Sequence, residues 1–260
     1  MPCFPRRGAV AAALSLCLAL AACGGGTSNQ YAGSTLAGQV LMEASAPVAG
    51  SANICLFAVA DGLGNPLDTA VVPPVGTGTL LTSGCISSNS QGQFVQALPN
   101  FYGPVLVQVA NGYYYNRASS SSVALSNLTQ TNDSLQALAF VGGGGTVNVV
   151  VSPLTTIATA MANRMPGGLN AANYAAAIAK VEAEFQLGGL NITQAPSSGD
   201  AQDLVLRGIE RYLVDPPGST DDPTGANLLN WNVAALTTMS ADYSNAYDAI
   251  NTSATHFTFY

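Results

Sequence analysis

Four carboxylates lie close together in one stretch of the chain, Asp200, Asp203, Glu210 and Asp215. Carboxylates that converge can divide acid and base work, because burial or a like charge raises the pKa of one while its neighbour stays ionised. An exported hydrolase is the enzyme class that such a cluster suggests. A second group, Asp215, Asp221 and Asp222, sits in the turn-rich segment Asp215–Gly225 and offers the oxygen ligands that Ca2+ prefers. The D-x-D-x-D-G spacing and closing Glu of a calcium loop are absent there, so a plain connector is the competing account. A third group is Tyr113, Tyr114 and Tyr115 followed by Arg117, which could stack a sugar or hydrogen-bond a partner. Alternate side chains of a strand face opposite sides, so the ordinary outcome for such a run is core plus exposed edge.

Other chemistry is poorly supported. His256 is the single histidine, which leaves multi-His metal sites and most histidine-based catalytic arrangements without parts. Glu182 and Glu184 are two apart on an expected helix, so they diverge and form a solvated face rather than an acid/base pair. No G-x-S-x-G elbow and no CxxC spacing occurs. The glycine run Gly142–Gly145 lacks a following Lys-Ser/Thr and precedes a strand, which argues against a phosphate cradle. No catalytic residue, cofactor or metal is assigned from these patterns.

The elements that must position these residues belong to a chain of 260 residues, 48% hydrophobic and only 8% charged. That is apolar enough for a core and argues against wholesale disorder. Seven Lys+Arg against fourteen Asp+Glu, a net charge of −7, speak against nucleic acid or an anionic lipid surface as partner.

Arg6 and Arg7 form a positive segment ahead of the apolar stretch Gly8–Leu20, whose 13 residues fall short of the roughly 20 a spanning helix needs. It ends in Leu20-Ala21-Ala22-Cys23, which resembles the lipobox of bacterial lipoproteins. The resemblance implies that residues 1–22 are a signal peptide, that Cys23 becomes the acylated N-terminus, and that the mature charge is −9. Two or three acyl chains suffice for stable anchoring, so the lipid bilayer is the first expected partner. Gly24, in place of the Asp that commonly retains such proteins in the inner membrane, implies the outer membrane of a Gram-negative cell. Residues 23–32 then read as a flexible tether. With Cys3 and Cys17 removed and Cys23 acylated, Cys55 and Cys85 remain as an even pair in an oxidising compartment, and a disulfide is expected between them.

Residues 33–151 read as short strands separated by turns. The runs are Leu36–Leu41, Ile54–Val59, Phe94–Leu98, Val105–Val109, Leu135–Phe140 and Val147–Val151, the last two flanking Gly142–Gly145 as a loose hairpin. Gly38-Gln39-Val40, Pro47-Val48-Ala49-Gly50, Gln91-Gly92-Gln93-Phe94 and Gly112-Tyr113 are similar to the pattern of the carboxypeptidase regulatory-like, prealbumin-type β-sandwich. That family implies a structural and display scaffold with no catalytic residues to carry over. Gly92 is expected at positive φ and Phe94 in the core.

After Val151 the hydrophobic period changes from 2 to about 3.6. Ser152-Pro153 reads as an N-cap and first helical residue, and four amphipathic segments follow in residues 152–260. Their apolar faces are Leu154, Ile157, Ala158, Met161 and Met165; Tyr174, Ile178, Val181 and Phe185; Leu204, Gly208, Ile209 and Tyr212; and Leu229, Val233, Leu236, Tyr243, Tyr247 and Ile250. The segment Val151-Ser-Pro-Leu-Thr-Thr156 also resembles a stretch that follows such sandwiches in bacterial surface lipoproteins. The expected fold class is α+β, a prealbumin-like antiparallel β-sandwich followed by a small four-helix domain. The expected function is a non-catalytic, outer-membrane-anchored structural or binding module of the envelope, meeting an envelope protein or glycan. The alternatives are the carboxylate hydrolase and a calcium- or glycan-binding adhesin.

Overall fold

Strand β1, Ser34–Glu43, is the longest of the sheet elements and organises the first sheet. Antiparallel β5 (Gln93–Leu98) flanks it on one side, and β10 (Gly145–Val151) runs parallel to it on the other. The short β2 (Ala46–Pro47) folds back on its far end. The second sheet has the order β4 (Ile86–Ser87), β3 (Asn53–Ala58), β6 (Gly103–Ala110), β9 (Ser134–Val141), all antiparallel. A separate ribbon joins β7 (Tyr113–Asn116) to β8 (Ser121–Ala124). Four helices are described: α1 (Pro153–Arg164), α2 (Ala171–Glu184), α3 (Ala201–Val214) and α4 (Ser240–Ile250). The computed structural model describes residues 33–49, 52–59, 80–99, 101–117, 119–125, 134–142, 144–214 and 240–257.

The protein is thus mixed α+β, a two-sheet sandwich with helices. Alternation along the strands explains its core: Leu36, Val40, Phe94, Leu98 and Val149 from one sheet, Ile54, Leu56, Val105, Val107 and Leu135 from the other, all buried. Gly92 has φ +70, and a Cβ there would lie 2.4 Å from the Val40 carbonyl oxygen, so no other residue fits this turn without strain. Cys55 on β3 is disulfide-bonded to Cys85, just ahead of β4, with Cα atoms 4.4 Å apart.

Gly142–Gly145 does not close a hairpin. β9 pairs with β6, whereas β10 pairs with β1 from Ser34↔Gly145 to Val40↔Val151, so the glycine stretch carries the chain from one sheet to the other. The reason lies in what occupies the edges. The edge of β9 away from β6 is taken by α1, whose Thr156 hydroxyl accepts from Gln136 N–H at 2.8 Å. β10 therefore pairs with the vacant side of β1. A Cβ on Gly142 would lie 2.4 Å from the exposed Tyr102 ring, which would have to turn aside.

β10 runs directly into α1. The Ser152 side chain accepts from Thr155 N–H, and the Thr155 hydroxyl accepts from Ser152 N–H at 2.8 Å, a reciprocal capping box with Pro153 at the first helical position. Residues 153–163 are all buried, so this helix is packed on every side. Strand and helix residues join in one hydrophobic core. α3 and α4 meet where Gly208 admits two tyrosines; a Cβ on it would be 2.9 Å from the Tyr243 hydroxyl and 3.1 Å from Tyr247. Tyr243 packs edge-on against Phe185 and Phe257, ring centres 5.5 and 5.1 Å away. Leu229, Val233 and Leu236 of the expected fourth helix lie outside the described residues.

Candidate functional site

The ionisable side chains converge where α3 meets the turn after β1 and the end of the β7–β8 ribbon. Asp203, Arg207 and Glu210 follow one another at spacings of four and three, which places them on one face of α3. That face is buried: Asp203 is 0% and Glu210 1% exposed. Glu43, the last residue of β1 and 1% exposed, lies against it. Arg207 Nε donates to Glu43 Oε2 at 2.8 Å, and the same guanidinium pairs through Nη2 with Asp203. Arg117, from the turn after β7, donates through Nε to Glu43 Oε1 at 2.6 Å. The Ser45 hydroxyl adds a third donor to Glu43 at 2.7 Å.

The carboxylates are also clasped by backbone. Asp203 accepts from Ala44 N–H at 2.9 Å and Gly199 N–H at 2.7 Å, and Glu210 accepts from Arg117 N–H at 3.2 Å. Asp200 caps α3, accepting from Asp203 N–H at 2.8 Å and Ser197 N–H at 2.7 Å. Three segments far apart in sequence are thereby fastened: the β1–β2 turn, the ribbon end and α3 from Asp203 to Glu210.

The electrostatics of two carboxyls separate. Burial pushes Glu43 up, but the hydrogen bonds from Arg117, Ser45 and Arg207 outweigh it and hold its pKa below the ordinary value. Burial also pushes Glu210 up, the Glu43 charge adds to it, and the Arg117 and Arg207 contacts only partly compensate, leaving it at about 8. At neutral pH Glu210 keeps its proton. The negative charges of Glu43 and Asp203 then balance the two guanidiniums, Arg117 and Arg207, and the cluster is neutral.

Of the four carboxylates singled out from sequence, Asp203 and Glu210 meet here, Asp200 caps the start of α3, and Asp215 lies outside the described residues. Asp221 and Asp222 lie outside them as well, as do Cys23 and residues 1–22, and no group of three metal-ligating side chains forms among the described residues. Glu43 and Arg207 are the partners that sequence reading missed. The signal available for Glu43 was an acid at the end of the apolar run Val40-Leu-Met-Glu43 in a chain with few charges.

The remaining candidates separate in space. Tyr114 is buried, and Tyr113 and Tyr115 are exposed on the opposite side of β7. His256 Nδ1 pairs with the Asp248 carboxylate at the surface, and Asp248 also accepts from Phe257 N–H at 3.3 Å, which clips the terminal segment to α4. Glu182 accepts from Ile192 N–H at 3.1 Å while Glu184 pairs with Lys180 at 3.5 Å, so the two diverge. The outer face of the first sheet carries an open groove of about 360 Å3 whose polar side chains are Gln39, Gln93 and Asn148, without a carboxylate. No described helix is long and apolar enough to cross a membrane. No protein-family model, curated protein or solved structure matches the chain.

Proposed function

We propose that the chain is a non-catalytic lipoprotein of the Gram-negative outer membrane. It is held by acylated Cys23 through the tether of residues 23–32 and acts as a structural or binding module of the envelope. In this reading the sandwich belongs with the prealbumin-type, carboxypeptidase regulatory-like scaffolds, and the Cys55–Cys85 pair suits an exported protein.

The observation that carries the reading is the state of the converging acids. Glu43 and Asp203 have their oxygens committed to two guanidiniums, a hydroxyl and two backbone N–H groups, in a buried junction that fastens sheet to helix. A general acid or base needs a substrate atom within hydrogen-bond reach. The open groove, by contrast, offers three amides set among apolar side chains such as Ala37, Val95 and Val150, which suits recognition.

One observation favours the hydrolase alternative: the pKa values of Glu43 and Glu210 are pushed in opposite directions, as in acid/base pairs. A broad screen of glycoside, ester and peptide substrates with the wild type and Glu210→Gln separates the readings. The module predicts no turnover from either protein. Turnover by the wild type that disappears in Glu210→Gln overturns it.

A further inference from the structure

Two of the exposed aromatic side chains are neighbours on a single face. Tyr113 and Tyr115, 54% and 56% exposed, are two residues apart on β7, which sets their Cα atoms about 7 Å apart on the same side of the ribbon. Across from them on β8 stand Ala124 and Ser122, paired in register with Tyr113 and Tyr115. Both are small, so neither ring is covered from its neighbouring strand.

The ribbon beneath the rings is fixed at both ends. Tyr113 exchanges two backbone hydrogen bonds of 2.8 Å with Ala49, and Leu125 N–H donates to the Gly112 carbonyl at 2.9 Å. Gly112 has φ +87, and a Cβ there would lie 2.8 Å from that of Ala52, so the turn into β7 tolerates little movement. At the far end Asn116 accepts from Ser119 N–H at 2.8 Å, and Arg117 is held by Glu43 and Glu210. On the underside Tyr114 is buried, with Asn116 donating to its hydroxyl at 3.3 Å. The two exposed rings therefore sit on a rigid backing, which lowers the entropic cost of binding.

We propose that the outer face of this ribbon, built on Tyr113 and Tyr115, is a stacking platform for a neutral polysaccharide. The inference deepens the binding-module reading and rests on it. Ring faces complement the apolar C–H face of a pyranose, while the tyrosine hydroxyls and that of Ser122, paired across from Tyr115, complement its hydroxyls. The adjacent cation, Arg117, has its guanidinium engaged by Glu43 and Ser45, so its charge is already matched and does not call for an anionic ligand. The chain's net charge of −7 also opposes an anionic polymer. Two rings and an alanine are too small an apolar area for a stable protein interface, which needs about 800 Å2 per partner.

The test uses the full-length chain in detergent, incubated with insoluble starch, cellulose, chitin and a mixed β-glucan, with heparin-agarose as the anionic control. Retention on at least one neutral polymer is expected, with none on heparin. Tyr113→Ala and Tyr115→Ala each weaken retention about tenfold, the double variant about a hundredfold, and the paired Phe variants retain most of it. Tyr102→Ala, which removes an exposed ring elsewhere, leaves retention unchanged. Ser122→Glu keeps both rings and also weakens retention, which guards against a folding defect in the alanine variants. Failure to bind any neutral polymer overturns the proposal. Retention that survives loss of both rings also overturns it, yet leaves the binding-module reading standing on another surface.

Discussion

Glu210→Gln is the substitution that bears most directly on the buried cluster. The wild-type carboxyl has its pKa moved from its ordinary 4.5 to about 8 in the folded protein, chiefly by burial and then by the Glu43 charge. Between those values the unfolded chain releases a proton that the folded chain keeps, so stability falls as pH rises. At about 1.36 kcal/mol per pKa unit, the loss across the whole window is on the order of 4–5 kcal/mol, with about 3 kcal/mol of it already incurred at pH 7. Above the folded pKa the loss levels off. A glutamine of nearly the same shape keeps an oxygen for the Arg117 N–H and cannot ionise. Urea unfolding at intervals from pH 5 to pH 9, at constant ionic strength, reads the effect. The wild type loses stability across this range while the variant stays nearly flat, so the two diverge by about 3 kcal/mol at pH 7. Below pH 4.5 the order of events changes: Glu43, held below its ordinary pKa, contributes stability that disappears as pH falls through its folded value. Parallel wild-type and variant curves between pH 5 and pH 8 would refute the assignment of a protonated Glu210.

Arg207→Met leaves the buried Asp203 without a cation and Glu43 with Arg117 alone, and lowers unfolding stability by about 3 kcal/mol in urea. Arg117→Met, at a side chain 42% exposed, costs about 1 kcal/mol in the same assay, because solvent replaces much of what is lost. Cys55→Ala with Cys85→Ala opens a link across 30 residues and lowers stability by about 3–4 kcal/mol in the chain-entropy account, measured by denaturation of the oxidised protein against the double variant.

What could be seen in the sequence was local. The apolar runs from Leu36 to Val151 became strands because alternation and turn residues act within a few positions, and Gly92 took its positive φ for the same reason. Ser152, Pro153 and Thr155 carry a complete helix start in four residues, and it formed. Pairing between distant segments was hidden. Nothing within β9 or β10 records that Thr156 occupies an edge or that β1 has a side to spare, so the glycine stretch between them read as a hairpin. The buried cluster was half visible: Asp203 and Glu210 stood out by spacing, but their partner Glu43 lies 164 positions before Arg207, where it resembles an ordinary strand end. Scarcity of charge was the remaining clue, since a buried acid must be paired or protonated and few cations were available. Here Glu43 and Asp203 are paired and Glu210 is protonated.

The proposed module is held at the envelope by lipid on Cys23. Metabolic labelling of wild-type and Cys23→Ser cells with a radioactive fatty acid, followed by separation of the membranes, measures this directly. The expected result is label on the wild-type chain and sedimentation with the outer membrane, with both lost in Cys23→Ser. An unlabelled wild-type chain in the soluble fraction, or equal label on both proteins, would contradict it.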